Sequence, residues 1–283
     1  MIWILLVLLY GVLKGAREVI KKKSLQGSTV MEVLVVYTVL AFLMVLPDYK
    51  NAMNVDPHFL FWIALKSFII FMAWICSFMA IDRMPISVYG ILDLSRVLFA
   101  TLLGTVVLGE VLSIAQIVGL TFVSTGLIML NGTRKLAAHK QEKVETRFVM
   151  IALISCMLNA VSGLMDKILM KSVTSSELQF WYMLFLALFY LGYILVTKTP
   201  IRWVATFKNR WIWLLSFLFI VADRALFVAN GMDGSRVTVM TLIKQSGSLV
   251  TILAGKFIFK EKNIRYKLIC AAVIITGIVV AVL

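Results

Sequence analysis

The sequence predicts an all-α membrane protein: ten transmembrane helices as two five-helix inverted repeats. Three observations carry this prediction. First, 61% of the 283 residues are hydrophobic, 15% are charged, and mean hydropathy is +0.98. A soluble domain is about half apolar, so the bilayer is the solvent that fits this chain. Second, the apolar residues fall into ten runs near the roughly 20 residues that a spanning helix needs. Third, the chain repeats itself. Residues 84–131, shifted by 151 positions, lie on 235–282 without a gap. Ser95 then meets Ser246, Gly104 meets Gly255, Glu110 meets Glu261, and Thr125-Gly126 meets Thr276-Gly277.

In chain order the expected helices are 2–20, 30–47, 57–80, 85–108, 111–131, 147–170, 178–197, 209–231, 236–258 and 265–283. The first run starts at Ile2 and leads into a repeated architecture, so it reads as a retained helix rather than a cleaved signal peptide. A shift of 148 lays it on the sixth, pairing Gly15 with Gly163 and Glu18 with Asp166. The polar stretch from Asn131 to Thr146 is the expected connection. Residues 1–131 are therefore the first repeat, 132–146 the connecting loop and 147–283 the second repeat. Trp3, Trp62, Trp181, Trp203, Trp211 and Trp213 fall near helix ends, as an interfacial aromatic belt would. Five helices per half is an odd number, so the second half enters the membrane in the opposite sense. Inverted repeats of this kind are common in secondary transporters, with the solute site near the midplane between the halves.

The net charge of +14 would suggest a nucleic-acid partner in a soluble protein. Here the basic residues sit between apolar runs, where they orient the chain in the membrane, and no nucleic acid is expected. Seventeen Lys and Arg lie in odd-numbered connections; only Lys50, Lys171 and Arg236 lie in even-numbered ones. Both termini are therefore expected outside. Cys76, Cys156 and Cys270 lie in apolar runs without paired spacing and read as free buried thiols. His58 and His139 fall in polar connections. No cofactor, metal site or enzyme activity is expected.

Ionisable residues inside a span cost about 2.5–3.5 kcal/mol each on insertion scales, and they usually face a cavity or one another. Asp93 and Lys244 occupy matching positions, each 17 residues before the paired Glu110 and Glu261. Pseudo-symmetry predicts that they face each other across a central cavity. Tyr89, Asp93, Arg96, Ala100 and Gly104 share one face of the fourth helix, and Lys244, Ser248, Thr251 and Gly255 share one of the ninth. Gly11, Lys14, Gly15 and Glu18 on the first helix, with Asn159, Gly163 and Asp166 on the sixth, form a second polar line. Of the neighbours Asp223 and Arg224, one is expected to reach the cavity; Arg224 joins the candidate binding set. The alternatives are a buried Asp93–Arg96 pair, a self-neutralised Lys14–Glu18 pair, and Glu110 and Glu261 as ordinary acids near helix N-termini.

The stretch from Leu108 to Gly119, with Gly109-Glu110, Gln116 and the later Gly126, resembles the EamA-like branch of the drug/metabolite transporter (DMT) superfamily. Its counterpart offers Glu261 and Thr276-Gly277, with Lys260, Lys267 and Cys270 where the pattern has Gly, Gln and Gly. The resemblance implies an alternating-access carrier of amino acids, nucleotide sugars, sugar phosphates or drugs. It also implies cytoplasmic termini, against the charge count. Lys244 resembles in position the ninth-helix lysine that holds phosphate in plastid sugar-phosphate translocators. Those proteins also carry lysine where this chain has Asp93, and one acid among several bases suits a zwitterion or a monoanion.

The expectation is thus a secondary transporter in the plasma (inner) membrane, with a small polar metabolite, zwitterionic or anionic, and the lipid bilayer as its partners. Buried carboxylates can exchange protons, so protons are the coupling ion to consider. Two other readings stand beside it: a non-transporting membrane sensor or assembly subunit, and a broad-specificity drug/metabolite exporter.

Overall fold

Helices make up all the regular structure among the described residues of the computed structural model, which are 2–108, 113–136, 145–230, 232, 243–244, 246–261 and 264–282. Glu110, most of the expected connecting loop, and the start of the expected ninth helix lie outside them.

The elements are α1 (Ile2–Ser24), α2 (Val30–Val45), α3 (Tyr49–Ala52), α4 (Pro57–Arg83), α5 (Ile86–Asp93), α6 (Arg96–Leu108) and α7 (Ile114–Leu136). The second half supplies α8 (Thr146–Leu169), α9 (Ser175–Thr197), α10 (Trp203–Phe207), α11 (Arg210–Asn230), α12 (Ser246–Phe257) and α13 (Ile264–Val282). Six of these stretches are long and apolar enough to cross a membrane: Val30–Ala52, Pro57–Arg83, Ile86–Leu103, Thr146–Asp166, Ser175–Thr197 and Arg210–Ala229. α1 has the length, but Lys14, Arg17, Glu18 and Lys21–Lys23 crowd its second half.

Local sequence sets the ends. Thr29 and Glu32 build a reciprocal capping box at the start of α2, satisfying two backbone donors that a helix leaves orphaned. Thr174 and Glu177 build the same box at the start of α9. Lys21, Lys22 and Lys23 sit in the last turn of α1, where cations complement the helix dipole.

One expected helix is not continuous. The run 85–108 is interrupted after Asp93, where Leu94 and Ser95 donate backbone bonds three residues back, to Ile91 and Leu92, in a tight turn. The Asp93 side chain at the break turns away from the backbone, to Lys14 and Arg96. An interrupted helix at membrane depth is tolerated where the freed groups are buried in protein or line a cavity.

Packing follows matched pairs. α1 lies against α11 and α12, and correspondingly α8 lies against α4 and α6. α2 packs on α11 as α9 packs on α4. Two of the remaining large contacts join equivalent elements, α2 with α9 and α7 with α13, and a third joins α5 to α12, the counterpart of α6. A two-repeat architecture fits this pattern. Apolar helices in lipid gain little by hydrophobic burial against each other, so close van der Waals approach decides which meet. Glycine permits it between α1 and α12. A Cβ on Gly15 would sit 2.4 Å from the Gly247 carbonyl oxygen, and one on Gly247 would sit 2.6 Å from that of Gly11. Between α2, α4 and α11 an aromatic core forms. Tyr37 stacks on Trp74 at 5.2 Å, and Phe219 meets both rings edge-on.

Candidate functional site

Lys14, Arg17, Glu18 and Lys21 follow the i, i+3, i+4, i+7 spacing that places residues on one face of α1. All four are buried, between 5% and 7% exposed. Charges so far from water need partners; other helices supply them for Lys14 and Arg17, while Glu18 and Lys21 pair within α1. Lys14 Nζ lies 2.6 Å from Asp93 Oδ2, while an Arg96 guanidinium nitrogen lies 2.6 Å from Oδ1 of the same carboxylate. Asp93 therefore carries two cations, one on each oxygen, at the point where α5 ends. Arg17 donates to Asp223 of α11 at 3.1 Å and covers the Phe219 ring at 4.9 Å. Lys21 donates to Glu18 at 2.8 Å.

The other half builds a counterpart. Lys66 of α4, only 2% exposed, lies 2.9 Å from Asp166 of α8 and 3.7 Å from the centre of the Tyr182 ring. The α1–α11 contact thus carries Arg17–Asp223, and the matching α8–α4 contact carries Asp166–Lys66. The polarity is reversed between the two.

Lys244 has no ion-pair partner among the described residues. Its Nζ lies 5.9 Å from the centre of the Tyr10 ring, whose other cationic neighbour is Arg17 at 5.8 Å. Asp166 and Asp223 attract it through space without forming an ion pair with it, and Lys14 and Arg96 repel it. Around this seam several buried polar atoms make no hydrogen bond: Ser95 Oγ, Ser246 Oγ, Ser248 Oγ and the Nε atoms of Arg96 and Arg17. Ser95, which lies beside the Cys156 thiol, and Ser246 are the residues matched by the internal repeat. Buried polar groups are ordinarily satisfied, so a cluster of orphans points to water or a solute between the helices.

Of the residues expected to form the site, the structure brings together Lys14, Asp93 and Arg96. Ser248 of α12 has its backbone carbonyl against Gly90 of α5, three residues before Asp93. Asp93 engages Lys14 rather than Lys244. Glu18 engages Lys21 rather than Lys14. Asp166 is held by Lys66. Three expected residues point elsewhere. Tyr89 is fully buried and shares a 2.7 Å hydrogen bond with Ser77. Asn159 donates to the Ser155 carbonyl one turn back. Arg224 reaches away to Asp48 at 2.5 Å and Ser176 at 2.8 Å. Its neighbour Asp223 is the one that faces the interior. Arg17, Lys66 and Asp223 were conspicuous as charges in the apolar runs but stood outside the expected binding set, as did Lys21 and Tyr10. The heptad stripe on α1 was a signal for Arg17 and Lys21; nothing local separated Asp223 from Arg224.

Glu261 is bound at one end of the seam. Its carboxylate accepts from the backbone N–H of Ile86 at 2.6 Å and of Ser87 at 3.3 Å, at the start of α5, and from the Ser87 hydroxyl. Lys267 donates to it at 3.2 Å. An acid of the second half therefore closes the N-terminus of a first-half helix, where the dipole favours it. Lys22 ties α1 to the same place by donating to the Met84 carbonyl. Among the described residues no group of three His, Cys, Asp or Glu is placed to hold a metal ion.

A helical bundle with several membrane-length apolar helices, a broken helix and a buried ionic seam defines a multi-pass membrane protein. The sequence profile of the EamA-like transporter family matches residues 1–132 and 146–283, so the chain belongs to that family. It is a family of small-molecule membrane transporters rather than of enzymes. A solved structure titled "Crystal structure of protein" is similar in fold, with a TM-score of 0.66 at 14% identity, covering 98% of this chain and 95% of that one. No curated protein matches the sequence.

Proposed function

We propose that this chain is a secondary transporter that moves a small polar metabolite, zwitterionic or anionic, across the plasma membrane by alternating access. Ten spans form two inverted halves, 1–131 and 147–283, joined by 132–146. The halves rock about the seam between α1, α5–α6 and α12, exposing the solute to one side at a time. Lys244 and Arg96 receive the anionic group of the solute, with Lys14, Asp93 and Ser248 beside them. Asp166 and Asp223, each held by one base, are the carboxylates available for proton coupling.

One observation carries this reading: an interrupted helix ends at a charged residue where the two halves meet, near a lysine and hydroxyls that have no ion-pair or hydrogen-bond partner among the described residues. The test is uptake by the purified protein in proteoliposomes, against a panel of amino acids, organic acids, sugar phosphates and drugs. The expected result is saturable uptake of at least one class, lost in Lys244→Ala. Normal transport by a folded Lys244→Ala protein would remove these residues from the site.

The reading as a non-transporting sensor or assembly subunit has an observation of its own. Asp93, Asp166, Asp223 and Glu18 are all paired within the protein. It requires that no solute class crosses in the same proteoliposomes.

A further inference from the structure

Away from the seam, the chain around α10 gathers positive charge on an exposed surface. From Leu178 to Ala222 the sequence holds four bases, Lys198, Arg202, Lys208 and Arg210, and no Asp or Glu. All four are exposed. Arg202 is bound by Glu32 of α2 through two guanidinium nitrogens, at 2.8 and 2.9 Å. Lys198, Lys208 and Arg210 have no acid partner among the described residues.

The same segment turns apolar side chains outward. Trp203, Val204 and Phe207 share one face of α10 and are exposed, while Thr206 is buried. Val204 is 71% exposed, and Leu195 and Val196 at the end of α9 exceed that. The exposed Trp213 donates from its indole to the Phe207 carbonyl at 2.8 Å, fixing α10 on α11. Arg202 also donates to the Gly27 carbonyl, and Asn209 donates to that of Ser24. α10 is therefore held from both halves, and its bases stand on a fixed surface rather than a loose loop. Aromatic and aliphatic groups outward, with bases at both ends, suit the headgroup level: the rings enter the acyl boundary and the bases stay among the phosphates.

The other half separates anchoring from charge. α3 follows α2 as α10 follows α9, and the stretch around it also exposes apolar residues, Leu46, Tyr49 and Met53. Its charges are Asp48, Lys50 and Asp56. Anchoring in the interface needs only the apolar side chains, which both stretches have. The unpaired bases occur at α10, and what they add is attraction for negative headgroups.

We propose that α10 and its flanks are a docking surface for anionic phospholipids, with Lys198, Lys208 and Arg210 on the headgroups and Trp203, Val204 and Phe207 at the acyl boundary. The inference requires a membrane protein and holds whether or not the chain carries a solute. Purified, delipidated protein in detergent is offered phosphatidylglycerol and phosphatidylcholine of the same acyl chains, and bound lipid is counted by native mass spectrometry. One base near an anionic surface contributes about five-fold in binding. Phosphatidylglycerol is expected to be retained over phosphatidylcholine by at least that factor. The triple variant Lys198→Gln, Lys208→Gln, Arg210→Gln is expected to lose the preference while melting as the wild type does in phosphatidylcholine. A second triple of exposed bases away from α10, Lys171→Gln, Lys256→Gln, Lys260→Gln, is expected to keep it. Equal retention of the two lipids by the wild type overturns the inference. So does a preference that survives in the α10 triple, or one that falls equally in both triples.

Discussion

Asp93 is the residue on which most of the buried charge depends. It neutralises Lys14 and Arg96 together, with an oxygen for each. Replacing it by Asn strands the buried Lys14 and the partly buried Arg96 without an acid. Breaking a buried pair in this way costs about 3–5 kcal/mol, so Asp93→Asn is expected to lower the melting temperature in detergent sharply. Lys14→Gln leaves the Asp93–Arg96 pair intact and is expected to cost much less. Equal effects of the two would deny Asp93 its double role. The candidate charges were legible in the sequence because hydrocarbon makes any ionisable residue conspicuous. Their partners were not. Helical spacing says which side chains share a face of their own helix, so Lys14 and Glu18 looked matched. Which acid lies opposite that face depends on how α1 is rotated against α5, α11 and α12. The same limit hid Asp223 behind Arg224.

The elements explain that rotation. Gly15 and Gly163 are matched by the repeat, yet their surroundings differ. A Cβ on Gly15 would strike the Gly247 carbonyl at 2.4 Å and the Val250 side chain at 2.6 Å, while one on Gly163 would meet nothing within 4 Å. Gly15→Ala is expected to force α1 off α12 and depress both yield and melting temperature, and Gly163→Ala to leave both unchanged. The close α1–α12 crossing puts Lys14 at the level of Asp93. Helix starts were written more locally. The Thr174–Glu177 box is contained in four residues, and Thr174→Ala is expected to cost about 1 kcal/mol. That prediction is checked by thermal unfolding against the wild type. The break after Asp93 was not foreseen. Periodicity treats 85–108 as one apolar run, and the cations that engage Asp93 at the break include Lys14 from a helix distant in sequence.

For the molecule as a whole, the matched pairings of α1 and α8 with elements of the opposite half agree with the repeat seen in the sequence. Glu261 joins the halves at one end, and Glu261→Gln, which keeps the shape but removes the charge facing both the α5 N-terminus and the buried Lys267, is expected to cost about 3–5 kcal/mol in melting experiments. Orientation is a property of the whole chain. If the basic connections are cytoplasmic, a single cysteine introduced at Lys140→Cys will resist an impermeant thiol reagent applied from outside the cell. Ready labelling there would place the termini inside.

By itself the sequence determined that the chain lives in a membrane, that it is helical, that its halves repeat, and that charged residues are retained in the apolar runs. Each of these follows from composition or from spacing along one chain direction. Only the tertiary structure decided which acid holds which base, that Lys244 has no ion-pair partner among the described residues, and that Glu261 reaches across the halves. Those outcomes depend on rotations and approaches between helices distant in sequence. They are set by where glycine lets two backbones touch, and no single helix records that.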